Sequence, residues 1–138
     1  MPDVGNINNM AKIKTIPCDI YNKQIQVFIG SNEELLKYAK KYLKDDALLD
    51  IIEKYSEDDD VNASYYYRAN GSGIVHLYKY PTNAEEISWV AHECLHATFH
   101  LLDYVNVKYE QNGANEAFTY LHDWLLYNAL DKKGYKKI

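Results

Sequence analysis

Residues 82–102, TNAEEISWVAHECLHATFHLL, decide the fold of this 138-residue chain. Apolar side chains recur in the stretch at intervals of three and four residues, which is the spacing of one face of an α-helix. Thr82 is a good capping residue and Glu85 follows three residues later, as in a capping box. We therefore predict a long amphipathic helix that begins at Thr82. The side chains predicted to face inward are Ile87, Val90, Ala91, Cys94, Leu95, Thr98, Leu101 and Leu102.

The same helix contains the motif His-Glu-Cys-Leu-His at residues 92–96. Side chains four residues apart lie on one helix face, so His92 and His96 can converge on a single metal ion. Glu93 is rotated by about 100° from His92, so it can border the ion without ligating it. In that position Glu93 can take a proton from a water held by the ion. The motif predicts Zn²⁺, with two histidine ligands and Glu93 as the general base.

A catalytic zinc site takes three protein ligands and keeps one position open. His100 continues the series of histidines, but it lies about 12 Å along the helix axis from His92. Asp103 lies further still. Two candidates for the third ligand stay open on the next predicted helix, His122 and Glu116.

The segment at residues 113–120, GANEAFTY, resembles the second motif of the gluzincins, the thermolysin-like branch of the HExxH metallopeptidases. In that motif an Asn-Glu dipeptide opens a second helix, and its Glu is the third zinc ligand. Nineteen residues separate His96 from Glu116, close to the thermolysin-like spacing. The resemblance implies Glu116 as the third ligand. It covers about residues 81–127, and the chain as a whole looks more like compact single-domain zincins, including short phage and mobile-element metallopeptidases.

Two features of the thermolysin pattern are absent from this sequence. Four residues after the ligand Glu the family has an Asp that accepts a hydrogen bond from a zinc-binding His, whereas this chain has Tyr120. Since a ligating His almost always donates its other N–H, Tyr120 and Asp123 are the candidate acceptors. The family's transition-state-stabilising His also has no clear counterpart. His122, Tyr127, Tyr120 and His76 are the candidates for that role.

The rest of the chain predicts an α+β fold in one domain, residues 1–138, with a loose terminus at residues 1–10. Alternating strands surround a turn at Asn22-Lys23, and further strands and helices follow from periodicity and capping signals. The order β-β-α-α-β-β-α-α predicts a small, mostly antiparallel sheet. This minimal zincin-like sheet packs against the HExxH helix and a Glu-bearing C-terminal helix. The predicted elements are strands 12–21, 24–29, 63–68 and 73–80, and helices 31–43, 45–55, 82–102 and 115–130.

Resemblance to the zincins also assigns a substrate strand. In that superfamily the strand before the active-site helix commonly pairs with extended substrate, and strand addition is a general mode of peptide recognition. Here we expect the strand that leads to Pro81 to fill this role for a peptide or protein substrate. The residues assigned to substrate pairing are Gly73, Ile74, Val75, His76, Leu77 and Tyr78.

Composition narrows the remaining functional classes. A net charge of −5 argues against a nucleic-acid binder that works by basic charge. No apolar run is long enough to predict a membrane span, and two cysteines with no basic, apolar leader predict a cytoplasmic protein. The sequence thus predicts a zinc metallopeptidase. The alternative is a non-catalytic zinc-binding interaction module of phage or mobile-element origin, and the sequence predicts no oligomeric state.

Overall fold

The computed structural model describes residues 11–55, 62–111, 113 and 115–138, so the predicted loose terminus lies outside the described residues. The α+β class is confirmed, and the elements follow the predicted order with one additional strand at the C-terminal end. The strands are β1 (Lys12–Cys18), β2 (Lys23–Ile29), β3 (Ala63–Tyr67), β4 (Gly73–Leu77) and β5 (Lys136–Lys137). The helices are α1 (Asn32–Tyr38, continued by a π-helical turn over Ala39–Leu43), α2 (Asp46–Tyr55), α3 (Ala84–Tyr104) and α4 (Asn115–Leu130).

The five strands form one sheet in the order β3-β4-β2-β1-β5. The predicted pairing of β1 with β2 is confirmed, with Lys12 opposite Ile29 and Cys18 opposite Lys23. The turn lies earlier than predicted, because Asp19–Tyr21, assigned to the first strand, form a 3₁₀ turn. The connection ends at Asn22 in the left-handed region (φ 53°), a conformation that Asn tolerates better than most residues. Among the described strand pairs, β2 and β4 alone run parallel, and β4 also pairs with β3. β4 therefore lies in the interior of the sheet, and β3 lies at its edge.

Helices cover both faces of the sheet. Strand side chains alternate between the faces, so β2 sends Ile25 and Val27 towards α3 and α4, and Phe28 towards α1 and α2. The first core joins the sheet to Val90, Cys94, Ala97, Leu101, Leu102, Phe118, Leu121, Leu125 and Ala129. The second core contains Leu35, Ala39, Leu48, Ile52, Tyr66 and Ile74. The predicted architecture placed helices α3 and α4 against the sheet but did not place α1 and α2 on its other face.

Helix α3 begins one residue later than the sequence predicts. Asn83, not Thr82, is the N-cap, and its side chain accepts the backbone N–H of Glu86 at 2.9 Å. The Glu86 carboxylate in turn accepts from the backbone N–H of Thr82 (2.9 Å), and Lys79 lies 2.6 Å from it. These hydrogen bonds, the one from Lys79 first, lower the pKa of Glu86 to about 2. The N-cap bond is thus shifted by one position, and the reciprocal bond of Glu86 goes to Thr82, the residue before the cap.

The inward face of α3 agrees with the predicted periodicity except at two positions. Ile87 and Leu95 are 39% and 42% exposed. Ile87 belongs to the first turn of the helix, and Leu95 lies at the margin between its buried and exposed faces. None of the described helices combines the length and apolarity needed to cross a bilayer.

A buried histidine on β4 makes the stability of this fold depend on pH. His76 is 1% exposed and packs beside Phe28 and Tyr66 in the core under α1 and α2. Its Nε2 donates to the carbonyl of Gly30 at 2.8 Å. Burial lowers the pKa of His76 to about 4, whereas an unfolded histidine titrates near 6.5. The unfolded chain therefore binds the proton first. Stability from neutral His76 is complete above the unfolded pKa and is lost as the pH falls towards 4.

We predict that His76→Gln removes this part of the pH dependence. Between pH 7 and pH 5 the wild-type protein should lose about 2 kcal/mol more unfolding free energy than the variant, because the variant lacks the imidazole that takes up a proton on unfolding. Urea unfolding of both proteins at the two pH values measures the difference. Equal losses in the two proteins would contradict the prediction.

Candidate metal centre

His92, Glu93 and His96 converge on the solvent side of α3. Within the described ranges they are the group of ligand-type side chains whose donor atoms all lie within 4.8 Å of one another. The Nε2 atoms of the two histidines are 3.1 Å apart. Two Zn–N bonds of about 2.0–2.1 Å at a tetrahedral angle need nitrogens about 3.3–3.4 Å apart. The two imidazoles are therefore within a few tenths of an ångström of the separation that zinc requires.

The ligand candidates of α3 face solvent because the opposite face of the helix is buried in the core. His92 and His96 are exposed, while Cys94 between them is 1% exposed against the sheet. Burial raises the pKa of the Cys94 thiol to about 12, which keeps it protonated at neutral pH. Cys94 is thus an apolar core residue, as predicted, and not a ligand.

Glu93 lies at the boundary between the core and the metal-binding face. It is 8% exposed, although its carboxylate is within 4.8 Å of the histidine nitrogens. Burial raises the pKa of Glu93, and the neighbouring His92 opposes this rise. A carboxylate with a raised pKa holds a proton more readily, which suits a group that must accept one during a reaction.

Helix α4 packs along α3 beside this group. The rings of Phe118 and Phe99 are 5.1 Å apart, and Nε2 of His122 lies 3.0 Å from the carbonyl oxygen of Ala91, to which it donates. Glu116 is exposed in the first turn of α4 and does not belong to the three-residue group. Its role as third ligand therefore stays a prediction.

The other residues of α4 singled out in the sequence lie on its exposed side. Tyr120 lines a groove with Pro17, Ile20 and Trp124, between α4 and the β1–β2 connection. Tyr127 and Asp123 are exposed. Within the described part of the chain, no hydrogen bond joins Tyr120, Asp123 or Tyr127 to His92 or His96.

A tyrosine that the sequence analysis did not single out lies against a ligand candidate. The Oη atom of Tyr67, the last residue of β3, is 3.4 Å from Nδ1 of His96. In the sequence, Tyr67 is part of a run of three tyrosines on a predicted strand. Strand alternation sends Tyr65 and Tyr67 to one face and Tyr66 to the other, but it does not say which helix each face meets.

His100 is also held by β3. Its Nδ1 is 2.7 Å from Oη of Tyr65, and the ring forms a further hydrogen bond with the backbone of Arg68. Burial lowers the pKa of His100. These contacts fix the ring against the strand, away from the site expected for an ion shared by His92 and His96.

The predicted substrate strand does not fit the sheet topology. β4 pairs with β3 on one side and with β2 on the other, so its backbone has no free edge. The assignment of Gly73, Ile74, Val75, His76, Leu77 and Tyr78 to substrate pairing is therefore corrected. Among the described strands β3 pairs with β4 alone, and its other edge lies on the side of the sheet nearest His96.

A cavity of about 640 Å³ lies elsewhere in the molecule. It opens at the carboxyl ends of β2 and β4 and is lined by Gly30, Tyr78, Tyr80 and Tyr135, among others. None of the three residues of the metal group lines it. The metal group therefore occupies an open face of α3.

No protein-family model, curated protein or solved structure matches this chain. The metal-binding group is consequently indicated by the identity of its residues and by their geometry.

We predict that the purified protein binds one equivalent of Zn²⁺ and that His92→Ala and His96→Ala each abolish this binding. His76→Gln is the matched control, because it removes an imidazole that packs on the opposite face of the sheet from the converging pair. Elemental analysis after zinc loading and gel filtration gives the stoichiometry. Less than half an equivalent in the wild-type protein would count decisively against the site.

Proposed function

We propose that this protein is a zinc-dependent metallopeptidase, with His92, His96 and Glu116 as zinc ligands and Glu93 as the general base. The observation that carries the proposal is the 3.1 Å approach of the two Nε2 atoms beside a buried carboxylate. The two free, buried cysteines are compatible with the reducing cytoplasm that we propose as its location.

Zinc fits this set of donors because imidazole nitrogens and a carboxylate oxygen are the usual ligands of catalytic zinc. When bound, zinc lowers the pKa of a coordinated water and polarises a carbonyl group. Glu116 is the proposed third ligand since α4, which carries it in the first turn, packs directly along α3.

Glu93 supplies the proton transfers in this proposal. It takes a proton from the attacking water and delivers it to the leaving amine nitrogen. Its partial burial and raised pKa favour the protonated state that the second transfer needs.

The free edge of β3 is the proposed docking surface for substrate. An extended peptide that pairs with this edge forms backbone hydrogen bonds, and strand addition of this kind does not depend on one particular side chain. The strand ends at Tyr67, which lies against His96. A peptide on this edge therefore runs beside the proposed ligands.

We predict that Glu93→Gln abolishes hydrolysis but keeps zinc. The amide matches the carboxylate in shape but cannot accept the proton, so the rate should fall by about 10²–10⁴-fold. Cleavage of a fluorescent-labelled casein or a mixed peptide library, with the zinc content of the same samples, measures both effects. Unchanged hydrolysis in this variant would contradict the role of Glu93.

We further predict that Glu116→Gln weakens zinc binding by more than about 100-fold, since removing a ligand should cost more than removing an outer partner. Glu85→Gln is the matched control, because Glu85 is also an exposed acid in the first turn of a helix. Competition with a chromophoric chelator gives both affinities. Equal affinities for the two variants would remove Glu116 from the ligand set.

A second candidate is a non-catalytic zinc-binding interaction module of phage or mobile-element origin. It is favoured by the positions of the two candidate histidines for stabilising the transition state. His122 donates its Nε2–H to the carbonyl of Ala91, and His76 is buried in the core under α1 and α2. This candidate predicts one equivalent of zinc and no hydrolysis of any peptide by the wild-type protein. The casein and peptide-library assays therefore separate the two functions.

A further inference from the structure

We infer that Tyr67 is a positioning residue for His96, accepting its Nδ1–H and thereby leaving Nε2 free to bind metal. The inference rests on the proposed zinc site and adds to it a residue from the sheet edge. It gives His96 the acceptor that the resemblance to thermolysin-like enzymes led us to seek at Tyr120 or Asp123.

The two nitrogens of the His96 ring have different neighbours. Nδ1 faces Oη of Tyr67 at 3.4 Å, and Nε2 faces Nε2 of His92 at 3.1 Å. A neutral imidazole carries one proton, so a proton on Nδ1 leaves the lone pair on Nε2. A phenol oxygen that accepts from Nδ1 therefore selects the tautomer that ligation through Nε2 requires.

Tyr67 can hold this position although it is half exposed, because its ring packs against two neighbouring rings. It makes edge-to-face contacts with Tyr65, at 4.9 Å between centroids and 88°, and with His100, at 4.8 Å and 84°. Tyr65 and His100 are themselves joined by the 2.7 Å hydrogen bond between Oη and Nδ1. His100 thus supports the ring of Tyr67, whose hydroxyl lies against His96.

The sheet makes room for this support at one glycine. Gly73 on β4 lies opposite Tyr67 in the strand register and beneath the ring of Tyr65. A Cβ atom at Gly73 would lie 2.0 Å from Oη of Tyr65 and 2.3 Å from its Cζ. Any larger residue at Gly73 would displace the ring of Tyr65, which supports Tyr67.

The need for an acceptor is general, since ligating histidines almost always donate their second N–H to an oxygen. In the described part of the chain Tyr67 is the residue within hydrogen-bond distance of Nδ1 of His96. The distance of 3.4 Å describes a long and therefore weak hydrogen bond.

The test is Tyr67→Phe, which removes the oxygen and keeps the ring and its edge-to-face contacts. We expect about tenfold weaker zinc binding, as for the loss of other partners of ligating histidines. Tyr55→Phe is the matched control: Tyr55 is also 51% exposed and also makes an edge-to-face contact with a neighbouring tyrosine, but on the opposite face of the sheet. Tyr55→Phe should bind zinc like the wild-type protein.

A second measurement reads the tautomer directly in the metal-free protein. Long-range ¹H–¹⁵N spectra at neutral pH should show His96 protonated on Nδ1 in the wild-type protein and as a mixture of tautomers in Tyr67→Phe. Retention of the Nδ1–H tautomer in the variant would overturn the inference, as would zinc affinity within twofold of wild type. Failure of the wild-type protein to bind zinc would defeat the proposed function instead, and the tautomer measurement would still decide the role of Tyr67.

Discussion

The structure depends on the burial of one face of α3 against the sheet. Val90, Cys94, Ala97 and Leu101 are nearly inaccessible to solvent, and together they fix the rotation of the helix about its axis. The same rotation sets His92 and His96 outward on one face and leaves Glu93 at the boundary with the core. The apolar contacts of the helix therefore determine the geometry of its polar side, since a helix cannot turn one face without turning the other.

The parts of the fold that could be predicted are those that depend on neighbours in the sequence. The α3 helix, the converging histidines and the inward Cys94 follow from helical periodicity, and the β1–β2 hairpin follows from strand alternation around a turn. The cap was displaced by one residue because Thr82 and Asn83 are both competent N-caps and both have a Glu three residues later. Local signals of equal strength cannot choose between such neighbours.

The features that could not be predicted depend on which strands become neighbours. Alternation assigns Tyr65 and Tyr67 to one side of β3, yet only the strand order places that side against α3. Because β4 pairs with β2 as well as with β3, the expected substrate strand has a neighbour on each side. Among the described strands the open edge on this side of the sheet therefore belongs to β3. The chain contains 14 tyrosines, an unusually large number beside its 3 phenylalanines. The three consecutive tyrosines of β3 have three different environments. Tyr65 is buried against α3, Tyr66 lies in the opposite core, and Tyr67 lies at the exposed end of the strand.

The contact between Tyr67 and His96 joins two segments that lie 29 residues apart in the chain. If the ion-binding form of His96 is favoured only when β3 is docked, then ligand binding and strand docking are thermodynamically linked. Such linkage is reciprocal, so the tenfold change in zinc affinity expected from Tyr67 corresponds to about 1.4 kcal/mol of added stability for the docked strand. The edge strand would then be most firmly held in the metal-loaded protein, so amide hydrogen exchange along β3 should slow on loading.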